Sequence, residues 1–401
     1  MKKQLLVSII LILVLTFTFP TVSPAKGSSS LKTFTLTAVG DVMMHDRQLS
    51  SAITDDGTYD LSTYFSLLGD RLSHADVTIA NMEAPISPSQ PVEGFPHFNA
   101  PKEILDLLYG SGVDIVTTIN NHTMDQNVEG VLETKQSIED SGLVSIGIYE
   151  NEEAFRTPYI RDINGIKVAF LAYTEHINGR ERHFKESELV HLIKRYSDEE
   201  AKLDIDAAKA AGAEIIVVYM HWGIEYELEP RKSVIDRAHV LGTLGADIIL
   251  GSHPHVVQPC DMITVTREDG EPYDVFVAYS LGNFISNQRK DYKDNGIIID
   301  LTIGYDTAAR KMTILKQEYT PTYVWRQNRR DGWHNYYVVP SDEYINVSIE
   351  GMTESDVRYV LRADEHISSL MENTPISYRG SSPELPPVKA AQSNRIKKAI
   401  K

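Results

Sequence analysis

Short apolar runs that suit buried β-strands alternate with stretches of 3.6-residue periodicity over most of this chain. Repeated switching between these two periods predicts a layered α/β domain, because helices that connect strands cover the faces of a sheet. The predicted strands are 33–39, 76–80, 113–119, 144–148, 167–173, 214–219 and 247–250. The predicted helices are 102–109, 128–140, 198–211 and 233–244, and all four are closely followed by glycine, which is common at helix C-termini.

The pattern changes to antiparallel pairing in the C-terminal part of the chain. Two hairpins, 262–265 with 275–279 and 297–303 with 311–317, are predicted to add antiparallel strands. A further helix is predicted at 354–371. The organisation we expect is therefore a main domain at 32–320, a C-terminal extension at 321–379 and a disordered tail, rich in Ser, Pro and Lys, at 380–401.

The N-terminal residues have the features of an export signal. Lys2 and Lys3 precede an apolar run over 5–19, and the small residues Ser23 and Ala25 fit a signal-peptidase site. Residues 1–25 are predicted to be a signal peptide, with an uncleaved membrane anchor as the alternative. In both cases we expect the protein to be exported, either to the extracellular face of the cell membrane or as a secreted protein.

Composition argues against nucleic-acid binding and excludes sites built from several cysteines. The formal net charge of -17 argues against nucleic acid as a partner, because affinity for phosphate backbones comes from clustered Lys and Arg. Cys260 is the single cysteine, so the chain can form neither an intramolecular disulfide nor a thiolate zinc site. The 13 histidines leave imidazole chemistry open.

Polar clusters follow five predicted strands, where open α/β sheets place their ligands. Each cluster alone has a plain explanation, such as a turn or a satisfied core histidine. Their coincidence at five strand ends favours a shared metal centre built from carboxylate, amide and imidazole groups. The five clusters contain Asp41; Asn81 and Glu83; Asn121, His122 and Asp125; His221, Trp222 and Glu225; and His253 and His255.

The ordered set of motifs resembles the CapA family of poly-γ-glutamate or capsule biosynthesis proteins, within the calcineurin-like metallophosphoesterase superfamily. The resemblance covers about residues 34–290. It implies a four-layer α/β/β/α sandwich with a dinuclear metal site at the sheet edge. The motifs are GDVMMH (40–45), NME (81–83), NNHTMD (120–125), HWGIEY (221–226), GSHPHVVQ (251–258) and SLGNF (280–284).

The resemblance also implies roles for individual residues. The expected ligands of one or two divalent ions (Mn, Zn or Fe) are Asp41, Glu83, Asn121, His221, His253 and His255. His122 and Asp125 are assigned to catalysis, with His122 acting as acid or charge stabiliser near a scissile phosphate. The residues assigned to substrate binding are Asn81, Trp222, Glu225 and Asn283.

Two departures from the superfamily pattern keep several functions open. Met43 stands where phosphatases have the histidine of Asp-x-His, and Glu83 or Asn81 stands in place of the bridging aspartate. The leading hypothesis is an exported capsule or poly-γ-glutamate biosynthesis protein with a phosphoesterase-like site. It would act on an anionic polymer or a phosphoester, alongside membrane-bound polymer synthase subunits. The alternatives are a general extracellular metallophosphatase or nucleotidase, and a non-catalytic scaffold of a polymer synthesis complex.

Two basic segments carry weaker signals. Residues 325–334 interleave arginines with aromatic residues, which suits either polyanion binding or a surface loop that packs its tryptophans. Residues 178–196 contain five Lys and Arg residues and suit either a lid over the site or a solvated helix.

Overall fold

The computed structural model describes residues 30–344, 347 and 349–379. The predicted signal segment 1–25 and the predicted tail 380–401 lie outside the described residues. The strands are β1 (Leu31–Val42), β2 (Val77–Met82), β3 (Ile115–Thr117), β4 (Val144–Ile146), β5 (Tyr159–Ile163), β6 (Ile166–Thr174), β7 (Ile215–His221), β8 (Ile248–Ser252), β9 (Cys260–Thr266), β10 (Pro272–Ala278), β11 (Asn283–Ile285), β12 (Asn295–Asp306), β13 (Lys311–Asn328), β14 (His334–Pro340) and β15 (Ser377–Tyr378). The α-helices are α1 (Asp46–Ala52), α2 (Glu103–Gly110), α3 (Asn127–Asp140), α4 (Glu152–Arg156), α5 (Glu186–Leu189), α6 (Asp198–Ala210), α7 (Lys232–Leu244), α8 (Ser341–Tyr344) and α9 (Glu354–Met371).

The strands form two mixed sheets. The first has the order β14-β13-β12-β1-β2-β3-β4, with β11 beside β1 and β15 beside β13. The second has the order β5-β6-β7-β8-β10-β9. Strands β1 to β4 run parallel to one another, as do β6, β7, β8 and β10, so the carboxyl ends within each group lie at one edge of their sheet.

Three apolar layers separate the sheets and helices. Phe34 and Ile79 of the first sheet share one core with Phe170 and Val217 of the second. The outer face of the first sheet packs on residues of α2, and the outer face of the second packs on α6 and α7. The architecture is therefore an α/β/β/α sandwich, which confirms the predicted fold class.

The C-terminal residues join the first sheet. β13 pairs with β12 over its first part and with β14 over its second, and β15 returns to pair with it. The predicted division at residue 320 falls inside β13, so residues 321–379 widen the sheet instead of following it as a separate unit. The reason is the length of β13, which continues beyond the predicted hairpin strand 311–317. The helix predicted at 354–371 is confirmed as α9.

No helix in the described ranges combines the length and the apolar character needed to cross a lipid bilayer.

The core between the sheets predicts a large difference between two leucines. Leu301 on β12 is 1% exposed and lies in that core, whereas Leu203 on α6 is 56% exposed. We expect Leu301→Ala to lower the free energy of unfolding by about 2–5 kcal/mol through lost burial and a residual cavity. Leu203→Ala is the matched control and should cost less than about 0.5 kcal/mol. Urea denaturation of both variants checks this, and equal losses would contradict the assigned core.

Candidate metal centre

The strand ends of both sheets bring five acidic and imidazole side chains together. Asp41 is the penultimate residue of β1, Glu83 follows β2, His221 ends β7, and His253 and His255 follow β8. All five are buried, with exposures of 4% or less. Gly40 allows this convergence, since a Cβ there would lie 1.9 Å from the carbonyl oxygen of residue 282 on the neighbouring segment.

The side chains form two ligand groups that share one carboxylate. Glu83, His221 and His253 form one group, and Asp41, Glu83 and His255 form the other. Within each group the ligand atoms lie within 4.8 Å of one another. Glu83 Oε1 is 3.6 Å from Nε2 of both His221 and His255, which is too far for a hydrogen bond. This arrangement suits a carboxylate that bridges two cation positions.

The hydrogen bonds of His255 determine which of its ring nitrogens can bind a metal. Asn283 donates its Nδ2 hydrogens to Gln288 Oε1 (3.1 Å) and to the Lys293 carbonyl (2.7 Å), so its Oδ1 faces His255. His255 Nδ1 lies 3.2 Å from that oxygen and 3.0 Å from Asp41 Oδ2. Because both neighbours are acceptors, Nδ1 carries the proton and donates it. The lone pair is then on Nε2, the nitrogen nearest Glu83.

His221 is held between two polar side chains, one at the end of β8 and one in the loop after β3. Its Nδ1 lies 3.0 Å from Ser252 Oγ, and its Nε2 lies 2.9 Å from Asn121 Oδ1. Asn121 donates its Nδ2 to Asn178 Oδ1 at 3.3 Å, which turns the amide oxygen toward His221. Asn121 Oδ1 is thus placed beside the Glu83–His221–His253 group, as a fourth oxygen or nitrogen donor.

The two histidines of the Gly251–His255 loop have unusual backbone conformations. The φ angles of His253 and His255 are 100° and 58°, in the left-handed region that non-glycine residues rarely adopt. Pro254 between them would by itself favour an extended segment, but the chain bends at both histidines. Such strain is typical of functional sites. It turns both rings inward, with centroids 6.1 Å apart.

Burial and the neighbouring ionisable groups shift the pKa values of the side chains in the cluster. Burial and the nearby charge of Asp41 raise the pKa of Glu83 well above its ordinary value. Burial also acts to raise the pKa of Asp41, but the hydrogen bonds from His255 and Asn81 help to outweigh it and the pKa is lowered. Burial and the adjacent His255 lower the pKa of His253 to about 3. Burial also lowers the pKa of His221 well below its ordinary value, so the imidazoles of His221 and His253 stay neutral at physiological pH, the form that binds metals.

The residues present fit a divalent cation. Glu83 Oε1 and His253 Nδ1 are buried without hydrogen-bond partners, and a bound cation would satisfy such atoms. Neutral imidazoles, carboxylates and an amide oxygen are donors that Mn, Zn and Fe all accept. The structure thus has buried His, Asp and Glu groups that could hold metal, and the donor set does not select one ion.

His122 and Asp125 form a hydrogen-bonded pair beside the two ligand groups. Asp125 Oδ2 lies 2.7 Å from His122 Nδ1 and also accepts the Phe98 backbone N–H at 2.9 Å. The ring of Phe98 packs edge-on against His122, with centroids 4.7 Å apart. The carboxylate fixes the proton on Nδ1 and leaves Nε2 for contact with a substrate.

A cleft of about 410 Å³ opens beside these groups. It is lined by Met43, His45, Phe95, Pro96, His97, His122, Asp125, Asn178, Arg180, Glu225, Tyr226, His255 and Gln288. Glu225 stands in the cleft wall, where a substrate-binding residue belongs. Asn178 and Arg180 bring the start of the 178–196 segment to the same cleft, while a lid role for the segment stays a prediction.

Three residues assigned to substrate binding lie in the protein interior and contact core residues or the candidate ligands. Trp222 is fully buried in the outer core of the second sheet and donates its Nε1 hydrogen to the Tyr279 carbonyl at 2.9 Å. Asn81 donates to Asp41 Oδ1 (2.8 Å) and Glu83 Oε2 (3.2 Å), so it holds the two carboxylates together. Asn283 lies behind His255. These assignments are corrected: Trp222 packs, and the two asparagines orient ligands.

Several residues of the site carried no clear sequence signal. Thr117 donates to Asn81 Oδ1 at 2.9 Å, and Ser252 contacts His221. The ring of His176 packs on His253, with centroids 4.9 Å apart. Ser252 immediately precedes His253, so its position in the motif was a signal for it. Thr117 and His176 reach the site through strand pairing and loop packing, which cannot be read from the sequence.

The fold and the site define a two-sheet α/β protein with a candidate metal centre at the strand ends. The model of the family described as bacterial capsule synthesis protein PGA_cap matches residues 35–288. The chain belongs to this family, which confirms the resemblance stated from the motifs.

Similar proteins include two that are named for capsule synthesis. The chain is 27% identical over 281 residues to the capsule biosynthesis protein CapA of Bacillus anthracis, covering 67% of this chain and 63% of that protein. It is 27% identical over 296 residues to the PGA biosynthesis protein CapA of Bacillus subtilis (strain 168), covering 72% of this chain and 73% of that protein. The match therefore spans less than two thirds of the Bacillus anthracis relative.

Solved structures with distant similarity include a phosphatase and a thiohydrolase. A phosphatase of Mycoplasma pneumoniae aligns with 73% of this chain and 94% of its own, at 13% identity and a TM-score of 0.41. The sulfate thiohydrolase SoxB of Thermus thermophilus aligns with 73% of this chain and 43% of its own, at 13% identity and a TM-score of 0.37.

The shared carboxylate predicts how metal content responds to substitution. Purified protein should hold one or two equivalents of a divalent metal, measured by elemental analysis. Glu83→Ala should lose most of both equivalents because Glu83 belongs to both ligand groups. His253→Ala should weaken one position only. His239→Ala, an exposed histidine on α7, is the matched control and should keep the wild-type content. Wild-type content in Glu83→Ala would contradict the proposed centre.

Proposed function

We propose that this protein takes part in making or attaching an anionic surface polymer, poly-γ-glutamate, through a metal-dependent phosphoesterase-type site. The observation that carries the proposal is the pair of ligand groups joined by Glu83 in a chain of the PGA_cap family. Two relatives are named for capsule and PGA biosynthesis, which supports the polymer.

The location and the partners are part of the same proposal. An export signal at residues 1–25 would place the site at the outer face of the cell membrane or in a secreted protein. Membrane-bound polymer synthase subunits are the partners that such a location offers. The substrate in the cleft is an anionic polymer or a phosphoester.

Different side chains of the site have different roles in the proposed reaction. A divalent ion, when bound, polarises a phosphoryl oxygen and acidifies a water molecule. Asp41, Glu83, Asn121, His221, His253 and His255 would hold it. His122, oriented by Asp125, presents Nε2 to the cleft and moves a proton to or from the substrate. Glu225 in the cleft wall orients the substrate.

A second candidate function is a non-catalytic scaffold, favoured by Met43. Met43 is buried against the cleft at the position where superfamily phosphatases have a ligating histidine. The Asp41 group consequently has three donors, and a site with one weak position would bind polymer or metal without turnover. If the purified protein binds metal but hydrolyses no substrate, the scaffold function is favoured over the catalytic one.

Hydrolysis should depend on His122 separately from metal binding. With Mn²⁺ present, we expect the wild-type protein to cleave phosphodiester or aryl phosphate substrates. His122→Ala should lower kcat by about 10²–10⁴-fold because it removes the proton donor, while the metal content stays unchanged. Asp125→Asn should lower kcat less, since the ring remains and only its orientation is loosened. Full activity in His122→Ala would refute the assigned role.

Deletion of the encoding gene should reduce the amount of surface polyglutamate or capsule in the source organism. The expected defect follows from the proposed role in making or attaching the polymer. It should be restored by the wild-type gene and not by the His253→Ala allele, at equal protein levels on immunoblots. Unchanged surface polymer in the deletion strain would refute the biological role.

A further inference from the structure

Four basic side chains, which we call the basic patch, lie together beside the metal cleft. The patch consists of Arg47 on α1, Arg289 after β11, Arg326 on β13 and His334 at the start of β14. Two carboxylates lie near the patch: Asp331 pairs with Arg329, and Asp294 Oδ2 forms a long ion pair with Arg289 Nη1 at 3.8 Å. Within the described residues, no carboxylate lies within ion-pair distance of Arg47 or Arg326.

Two members of the patch have buried nitrogens without partners. Arg289 donates its Nη1 to the Val324 carbonyl, but its Nε and Nη2 have no acceptor. His334 is 7% exposed, and neither of its ring nitrogens has a hydrogen-bond partner. Unsatisfied buried donors are costly, and an oxyanion is the ligand that would satisfy several at once. Burial and the charges of Arg326, Arg47 and Arg289 lower the pKa of His334 to about 4, which fits strongly cationic surroundings.

The patch adjoins the metal cleft through two residues. The backbone N–H of Asn287 donates to His45 Nδ1 in the cleft wall at 3.4 Å. Asn287 Oδ1 accepts hydrogen bonds from Arg326 Nη1 (3.3 Å) and the Tyr336 hydroxyl (2.8 Å). A second cleft, of about 340 Å³, is lined by His334 with Arg329, Asp55 and Asp60. The contacts of Asn287 place the patch next to the wall of the metal cleft.

We propose that the basic patch binds a carboxylate of an extended acidic polymer while a neighbouring part of the polymer occupies the metal cleft. This rests on the proposed function and adds the residues that recognise the polymer. Planar guanidinium groups match the two oxygens of a carboxylate. The whole chain carries a net charge of -17 and repels polyanions elsewhere, so local cations have to provide the attraction.

The test measures binding of a fluorescein-labelled oligo-γ-glutamate to the Mn²⁺-loaded full chain by anisotropy. Arg47 is exposed and the side chain of Arg326 contacts the polar groups of Asn287 and Tyr336, so Arg47→Gln and Arg326→Gln should fold normally. The double variant should raise Kd roughly tenfold or more, at about three- to fivefold per charge. Its metal content should equal that of the wild type. Arg310→Gln, an exposed arginine in the distant β12–β13 turn, is the matched control and should change Kd less than about twofold.

The outcomes separate this inference from the proposed function. Wild-type affinity in the double variant would overturn the patch and leave the proposed function standing. Tighter binding of inorganic polyphosphate than of oligo-γ-glutamate would overturn the carboxylate assignment. No polymer binding by the wild-type protein would overturn both proposals. A loss of polymer binding in the double variant, with unchanged metal content, would support the patch whether or not the protein hydrolyses a phosphoester.

Discussion

The buried carboxylate of Glu83 is the group on which the rest of the site depends. It lies beside Asp41 in a region without solvent, and two adjacent buried carboxylates repel each other strongly. The Asn81 amide donates to both, and His255 donates to Asp41, yet Glu83 Oε1 still has no partner. A divalent cation would compensate this deficit. The electrostatics of this one carboxylate therefore favour a cation at the site.

Both ligand groups depend on the fold, because each combines Glu83 with side chains from the other sheet. Asp41 and Glu83 come from the first sheet, whereas His221, His253 and His255 come from the second. Neither sheet alone has a complete ligand group, so the two must pack with their carboxyl edges aligned. The apolar core between the sheets provides that alignment. Binding a cation at this edge would in turn stabilise the packed state relative to the unfolded chain.

Sequence reasoning identified the residues that the fold brings together as candidate ligands, because strand ends have a local signature, a run of apolar residues followed by a polar cluster. Asp41, Glu83 and the three histidines could be identified in this way. The roles of Asn81, Trp222 and Asn283 could not, because the direction of an amide or an indole depends on tertiary partners such as Thr117, Tyr279 and Lys293. The position of residues 321–379 was missed for a related reason. Pairing of β13 with three other strands is a long-range property that hydrophobic periodicity does not encode.

Because Met43 stands where a histidine would add a donor, the two ligand groups differ in the number of donors they offer to a cation. The Glu83–His221–His253 group gains the Asn121 oxygen and reaches four donors, while the Asp41–Glu83–His255 group has three. A thioether is a poor ligand for Mn²⁺, and His45, two residues further on, lies in the cleft wall with its Nδ1 near the Asn287 backbone N–H. The first ion should therefore bind at the His221 side. The second position would then need further oxygen donors from outside the Asp41–Glu83–His255 group. In this way the departure from the phosphatase pattern makes the second position the weaker of the two.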